Sequence, residues 1–211
     1  MQSRSVEREL ALLVLGQIQD NDSKSLSSLS LDVLLQKALE SLSQYWSDGL
    51  DLCAGQLELA QQQLLDSELQ ESDKNSLSRV RNHLKASLSE AEKVLNELSG
   101  SLDITRLIFL SDQEEIRKGA LLRIKLVIEY RETIDLRLDG VMEGWRLKRL
   151  PRIDRDILRL AVIDLINLQT PVAVACNEAV DLANRYSDDQ GRRMINGVLR
   201  RLQNSLAVPA K

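Results

Sequence analysis

The segment from Trp145 to Leu202 constrains the fold of this chain more than any other. Two of the three prolines fall there, each at a place where a helix would begin. Ile153-Asp154 reads as a staple residue followed by an N-cap, with Leu158 spaced to pack back on Ile153. Thr170-Pro171 reads as a second start, Thr as the cap and Pro at the first helical position, where a missing N–H costs nothing. Apolar residues then recur with helical period. Ile157, Leu160, Ala161 and Leu165 share one stripe that only Asp164 interrupts; Val172, Ala175, Cys176, Ala179, Ala183 and Tyr186 form the next; Met194, Ile195, Val198, Leu199 and Leu202 form the last.

Upstream, a first helix is expected from about Ser5 to Gln19, with Val6, Leu10, Leu13, Val14 and Ile18 inside and Arg4, Arg8 and Glu9 off that stripe. Asn21 to Ser30 is a polar linker. Leu35, Leu39, Leu42, Trp46, Leu50, Cys53, Leu57, Ala60 and Leu64 then keep phase across Asp48-Gly49, which predicts one helix from about Leu31 to Leu69. After a turn at Glu71 to Asn75, Leu77, Val80, Leu84, Leu88, Ala91, Leu95 and Leu98 predict a second helix, C-capped at Ser99-Gly100. The two make a helical hairpin with a coiled-coil-like seam. Leu102 to Leu110 is expected as a short helix. Ser111-Asp112-Gln113-Glu114 reads as a capping box opening a long helix, with Ile116, Ala120, Ile124, Val127, Ile134, Leu138 and Met142 inside, to about Gly144. Gly197 in the last helix suggests close helix packing. The fold class is therefore all-α: two small helical bundles, at about 1–144 and 145–211, with the hairpin of about 31–98 inserted in the first.

Of 211 residues, 43% are hydrophobic and 3% aromatic, enough for a leucine-rich helical core. Apolar runs fall far short of the roughly 18 residues a membrane span needs, and the N-terminus lacks a cleavage signal, so a cytoplasmic location and no membrane contact are expected. Cys53 and Cys176 sit in apolar stripes as reduced, buried hydrophobes, and His83 lies on a polar face as a solvated side chain. No phosphate loop, HExxH or paired CxxC occurs, so no catalytic residue, metal or cofactor is implied. Net charge is −4, but unevenly spread: 12 basic and 7 acidic residues from Trp145 onward, 16 and 25 before it. Between Asn21 and Asp103 the hairpin region holds 7 basic and 14 acidic residues. Such asymmetry points to an anionic partner for one part only. Candidate contacts are Arg4 and Arg8, one turn apart, and Arg192 and Arg193, at the start of the last helix, where free N–H groups favour phosphate. Each could equally be a solvated surface charge.

LDGVM (138–142), DRDILRLAVIDL, TPVAVACNEAVDLANRYS and MINGVLRRL, with RELALLVLGQI near the N-terminus, resemble the NusB family of bacterial transcription antitermination factors. The likeness covers roughly residues 4–20 and 115–203. It implies binding to boxA-type leader RNA of ribosomal RNA operons, together with NusE, a small-subunit ribosomal protein, in an RNA polymerase antitermination complex. The family's N-terminal arginine-rich motif falls on Arg4 and Arg8, amid Ser3, Ser5 and Glu7. Its second RNA-facing loop falls on Ser187 to Arg193, and its partner-facing carboxylate on Asp154; Gly16 replaces a common Tyr. The short members lack the hairpin, which is then a structural elaboration, an extra docking surface or a homodimer seam. Two rivals stand beside RNA binding. A helical scaffold that binds protein but not RNA is one; the other is the N-terminal part of a ribosomal RNA methyltransferase, against which the lack of a following cofactor-binding domain argues.

Overall fold

The computed structural model describes residues 2–18, 28–68, 76–144 and 146–207. The expected turn at 71–75, Trp145 and most of the expected linker lie outside them. All regular structure among the described residues is helical: α1 (Gln2–Gln17), α2 (Ser28–Glu68), α3 (Ser76–Ser111), α4 (Glu114–Glu129), α5 (Arg131–Val141), a 3-10 turn (Leu147–Arg149), α6 (Arg152–Ile166), α7 (Val172–Tyr186) and α8 (Asp189–Ala207). No helix among these residues is long and apolar enough to cross a membrane. The chain divides into two compact units, Met1–Ala38 with Leu110–Lys211, and Leu39–Phe109.

In the first unit α6 is the central element. It packs on α1, α4, α5, α7 and α8, and ten successive or near-successive residues from Asp154 to Asp164 are buried. Ile157, Leu158, Leu160 and Ile163 are essentially inaccessible, and the buried Asp154, Asp156, Arg159 and Asp164 show that the helix is enclosed on nearly every side, its charged faces included. α1 is enclosed in the same way: Leu10, Ala11, Leu12, Val14 and Leu15 are all buried. The expected stripe covered only part of this, and two residues placed off it, Arg8 and Glu9, are also buried.

Several helix ends differ from the sequence expectation. The last is the simplest: α6 starts at Arg152 with Pro151 in the cap position, so Asp154 is the third helical residue rather than the N-cap. Pro151, at φ −49°, already starts the helix, its carbonyl accepting from the Arg155 N–H at 3.2 Å. Similarly Pro171, not Thr170, occupies the cap position of α7, and its carbonyl takes the Val174 and Ala175 N–H groups. Thr170 instead donates its N–H to the Asp164 carbonyl at 2.8 Å, closing the turn out of α6. Ser111 ends α3, and Gln113 rather than Ser111 takes the N-cap position of α4, with no side-chain cap of its own. Glu114 pairs one turn forward with Lys118 at 2.6 Å. The long helix expected to about Gly144 is two, broken at Tyr130. Tyr130 keeps its hydrogen bonds to Leu126 and from Ile134, and the buried set Ile116 to Met142 stays in phase across it. Periodicity alone could not reveal that break.

The second unit is an antiparallel pair. Cys53 Sγ donates to the Val94 carbonyl at 3.9 Å, and His83 Nδ1 lies 2.8 Å from Gln63 Oε1, so positions rise on α2 as they fall on α3. His83 is thus half-buried and hydrogen-bonded, not simply solvated. α2 runs through Gly49 as expected, whereas α3 also runs through Gly100 and absorbs the separate helix expected at Leu102 to Leu110. An interior glycine costs about 1 kcal/mol, which a helix of 36 residues tolerates. The buried line joins Cys53 and Ala60 to Ser87, Val94 and Leu107, beside the leucine repeat rather than along it.

Candidate nucleic-acid interface

α1 is short and closely surrounded, so its charged residues must find partners inside the first unit. Arg8 is 2% exposed; its Nε donates to Asp164 Oδ2, and its Nη1 lies 2.9 Å from the Arg4 carbonyl and 3.5 Å from Glu178. Asp164, the one break in the α6 stripe, also accepts from Arg123 Nε at 3.1 Å. Arg123 reaches on to Glu7 at 2.5 Å and to the Gly119 carbonyl at 3.1 Å. A buried lattice of alternating charges therefore joins α1, α4, α6 and α7. On a second side of α6, Arg159 forks onto Asp135 through two bonds of 2.8 Å and onto Asp156 through another. Burial pushes the Asp156 carboxyl up, opposed by Arg159 and Arg152. Arg152 also donates to the Leu15 carbonyl at 2.8 Å, capping the C-terminal end of α1.

Glu9 links α1 to the segment expected to face RNA. Its carboxylate takes bonds from Arg185 Nη1 at 3.0 Å and from the Tyr186 hydroxyl at 2.7 Å, at the end of α7. Ser187 follows at once. Asp188 then caps α8: its carbonyl accepts from Arg192 N–H at 2.9 Å and its Oδ1 from Gly191 N–H at 2.6 Å. One of the N–H donors expected to be free for phosphate is therefore taken by a carboxylate. Arg192 lies along the helix surface, 2.8 Å from Asp189 and 3.5 Å from Asn184, while Arg193 and Arg200 are exposed.

Asp154 lies under this turn, 1% exposed, and shares a hydrogen bond with Ser187. Burial raises its carboxyl above the ordinary value; the Ser187 bond pulls it down and Asp188 adds to the rise. Its Oδ1 has no hydrogen-bond partner among the described residues. Gly191 closes over the pair: a Cβ there would meet Ser187 Oγ at less than contact distance and Asp154 Oδ2 at 2.6 Å. Asp154 and Gly191, with Arg149, Leu150, Pro151, Asp188, Gln190 and Met194, line a cleft of about 160 Å³. Arg149, Arg146 and Lys148 are exposed on the hinge before α6.

Of the residues singled out in the sequence, Arg4, Arg192 and Arg193 present charge at or near the surface, Arg8 and Asp154 are inside, and Ser187 bridges the two levels. Gly197 meets no neighbour closer than Arg201 Nη2 at 4.0 Å, so it does not mark close helix packing. Sequence reasoning missed Glu9, Arg123, Arg185 and Gly191. Asp164 carried the available signal, since a carboxylate inside an apolar stripe demands a buried cation.

A family model described as the NusB family matches residues 111–204. The chain is 41% identical over 211 residues to the transcription antitermination protein NusB of Synechococcus elongatus, spanning 100% of this chain and 97% of that one. It is 39% identical over 210 residues to the protein of the same name from Gloeothece citriformis, spanning 100% and 97%. With that from Synechocystis sp. it shares 41% over 203 residues, spanning 95% and 90%. The first of these alignments runs through residues 39–109, which the family model leaves out, so the hairpin unit is shared with such relatives.

Proposed function

This chain belongs to the NusB family, and we propose on that footing that it is a transcription antitermination factor with no active site of its own. It binds boxA-type leader RNA of ribosomal RNA operons together with NusE, and so joins the RNA polymerase antitermination complex in the cytoplasm. The observation that most supports this reading is the contact of Glu9 with Arg185 and Tyr186. It brings the two candidate RNA segments, about 180 residues apart in the chain, into one neighbourhood. Arg4, Arg192 and Arg193 supply the phosphate contacts. Arg8 contributes as a positioning residue, holding the Arg4 turn through the Arg4 carbonyl. Ser187, bonded to Asp154, sets the backbone from which Arg192 and Arg193 project. NusE approaches the cleft over Asp154, where Leu150 and Met194 add apolar surface.

Titration of a short ribosomal leader RNA, with and without NusE, tests the proposal. Each phosphate contact to single-stranded RNA adds about 0.7 to the slope of log affinity on log salt. Loss of Arg4, Arg192 and Arg193 together should therefore flatten that slope by about 2. No binding to RNA even with NusE present, alongside tight NusE binding, would leave the protein-binding scaffold as the function instead.

A further inference from the structure

The second unit leaves an apolar seam uncovered. Leu77, Leu84, Leu88, Leu95, Leu98 and Leu102 recur along α3 with the spacing of a two-stranded coiled coil. Inside the hairpin α2 meets a neighbouring line instead, at Ser87 and Val94. Leu77, Leu88, Leu95 and Leu102 are consequently 68–85% exposed, and Leu84 and Leu98 about 40%. Taking roughly 180 Å² for a fully exposed leucine, these six side chains offer about 700 Å², near the roughly 800 Å² that a standard interface takes from each partner. Isolated monomers seldom leave so long an apolar strip in water.

We propose that a second copy of this chain covers the seam, its α3 packed antiparallel across a two-fold axis near Leu88. Charge selects both occupant and direction. Of the exposed charges that flank the seam, Arg81 and Lys85 precede that axis and Glu92 follows it. Antiparallel pairing sets Lys85 of one copy opposite Glu92 of the other, a pair that occurs twice by symmetry. A parallel pair would set like against like. The proposal is independent of RNA binding, since α3 shares no residue with the candidate interface.

Sedimentation velocity of the full chain over a range of concentrations reads the result. A dimer is expected that dissociates more readily in about 1 M salt, where surface charge pairs are screened. Leu88→Glu with Leu95→Glu should weaken association by about a hundredfold or more with helical circular dichroism unchanged, because both side chains start exposed. Lys85→Glu should weaken it too, and Lys85→Glu with Glu92→Lys should restore it, a rescue that holds even if the leucine variant misfolds. A chain that stays monomeric up to about 100 µM overturns the proposal and leaves the seam to a different protein. A dimer indifferent to these changes places the contact elsewhere and overturns it as well.

Discussion

Replacing Arg8 by alanine separates two possible roles for that side chain by what each would cost. As a phosphate ligand on a helix surface, its loss would weaken RNA binding and leave folding alone. The structure places it inside, with side-chain exposure of 3% against 2% for Asp164. Removing one member of a buried ion pair typically costs about 3–5 kcal/mol, because the other charge is left without its partner. The lower end applies to Arg8→Ala, since Arg123 remains 3.1 Å from Asp164 and still offsets its charge. Asp164→Ala leaves two guanidinium groups facing each other in the same interior, which places it near the upper end, at about 5 kcal/mol. In a double-mutant cycle the combined variant should then cost well under the sum, with a coupling of about 2 kcal/mol. Urea unfolding followed by circular dichroism measures all four corners. A cost below about 1 kcal/mol for Arg8→Ala, or a coupling within about 0.5 kcal/mol of zero, would refute the buried network. Lost RNA affinity at unchanged stability would return Arg8 to the surface.

Gly191→Ala should destabilise the first unit by about 1–3 kcal/mol, because the new methyl meets the Ser187–Asp154 pair; Ser187→Ala in the same chain should recover much of that loss in a thermal melt. Asp154 carries its proton more tightly in the folded state than its ordinary value of 3.8. The native form therefore binds more protons than the unfolded chain just above that pH, and the stability from Asp154 is complete below about 3.8 and lost as pH rises through the elevated value. Asp154→Asn should gain relative to wild type as pH rises through that window, and a constant difference in unfolding free energy between the two proteins would refute the assignment. Arg193→Ala should lower the salt slope of RNA binding by about 0.7 without changing the melting temperature; Arg193 is exposed, so a large stability change would argue against a surface role.

In the first unit periodicity was a sound guide to what is buried, but it was a poor one to where helices stop. Ile116, Ile124, Ile134 and Leu138 are all inside, as their spacing requires, yet the break at Tyr130 between them leaves no trace in that spacing. The helix starts were off by three residues at α6 and by one at α7, because Pro151 and Pro171 themselves take the cap positions. Buried surface is what a stripe of side chains encodes, whereas a helix end depends on backbone geometry that several residue types can supply.

Composition and hydrophobic period by themselves determined the all-helical class, the leucine-rich core and the hairpin, since these depend only on which residues repeat on one face. The basic excess from Trp145 onward was equally legible, because charge needs no coordinates to be counted. Tertiary structure alone decided which charges are available. Arg4 and Arg8 look equivalent in sequence, one turn apart, but only Arg8 meets Asp164 from a helix more than 150 residues away. Exposure of a charge depends on the opposite charges that the fold brings beside it, and those partners come from other helices. The same holds for the leucine repeat of α3, whose period is plain in the sequence while its exposure follows from the line on which α2 packs.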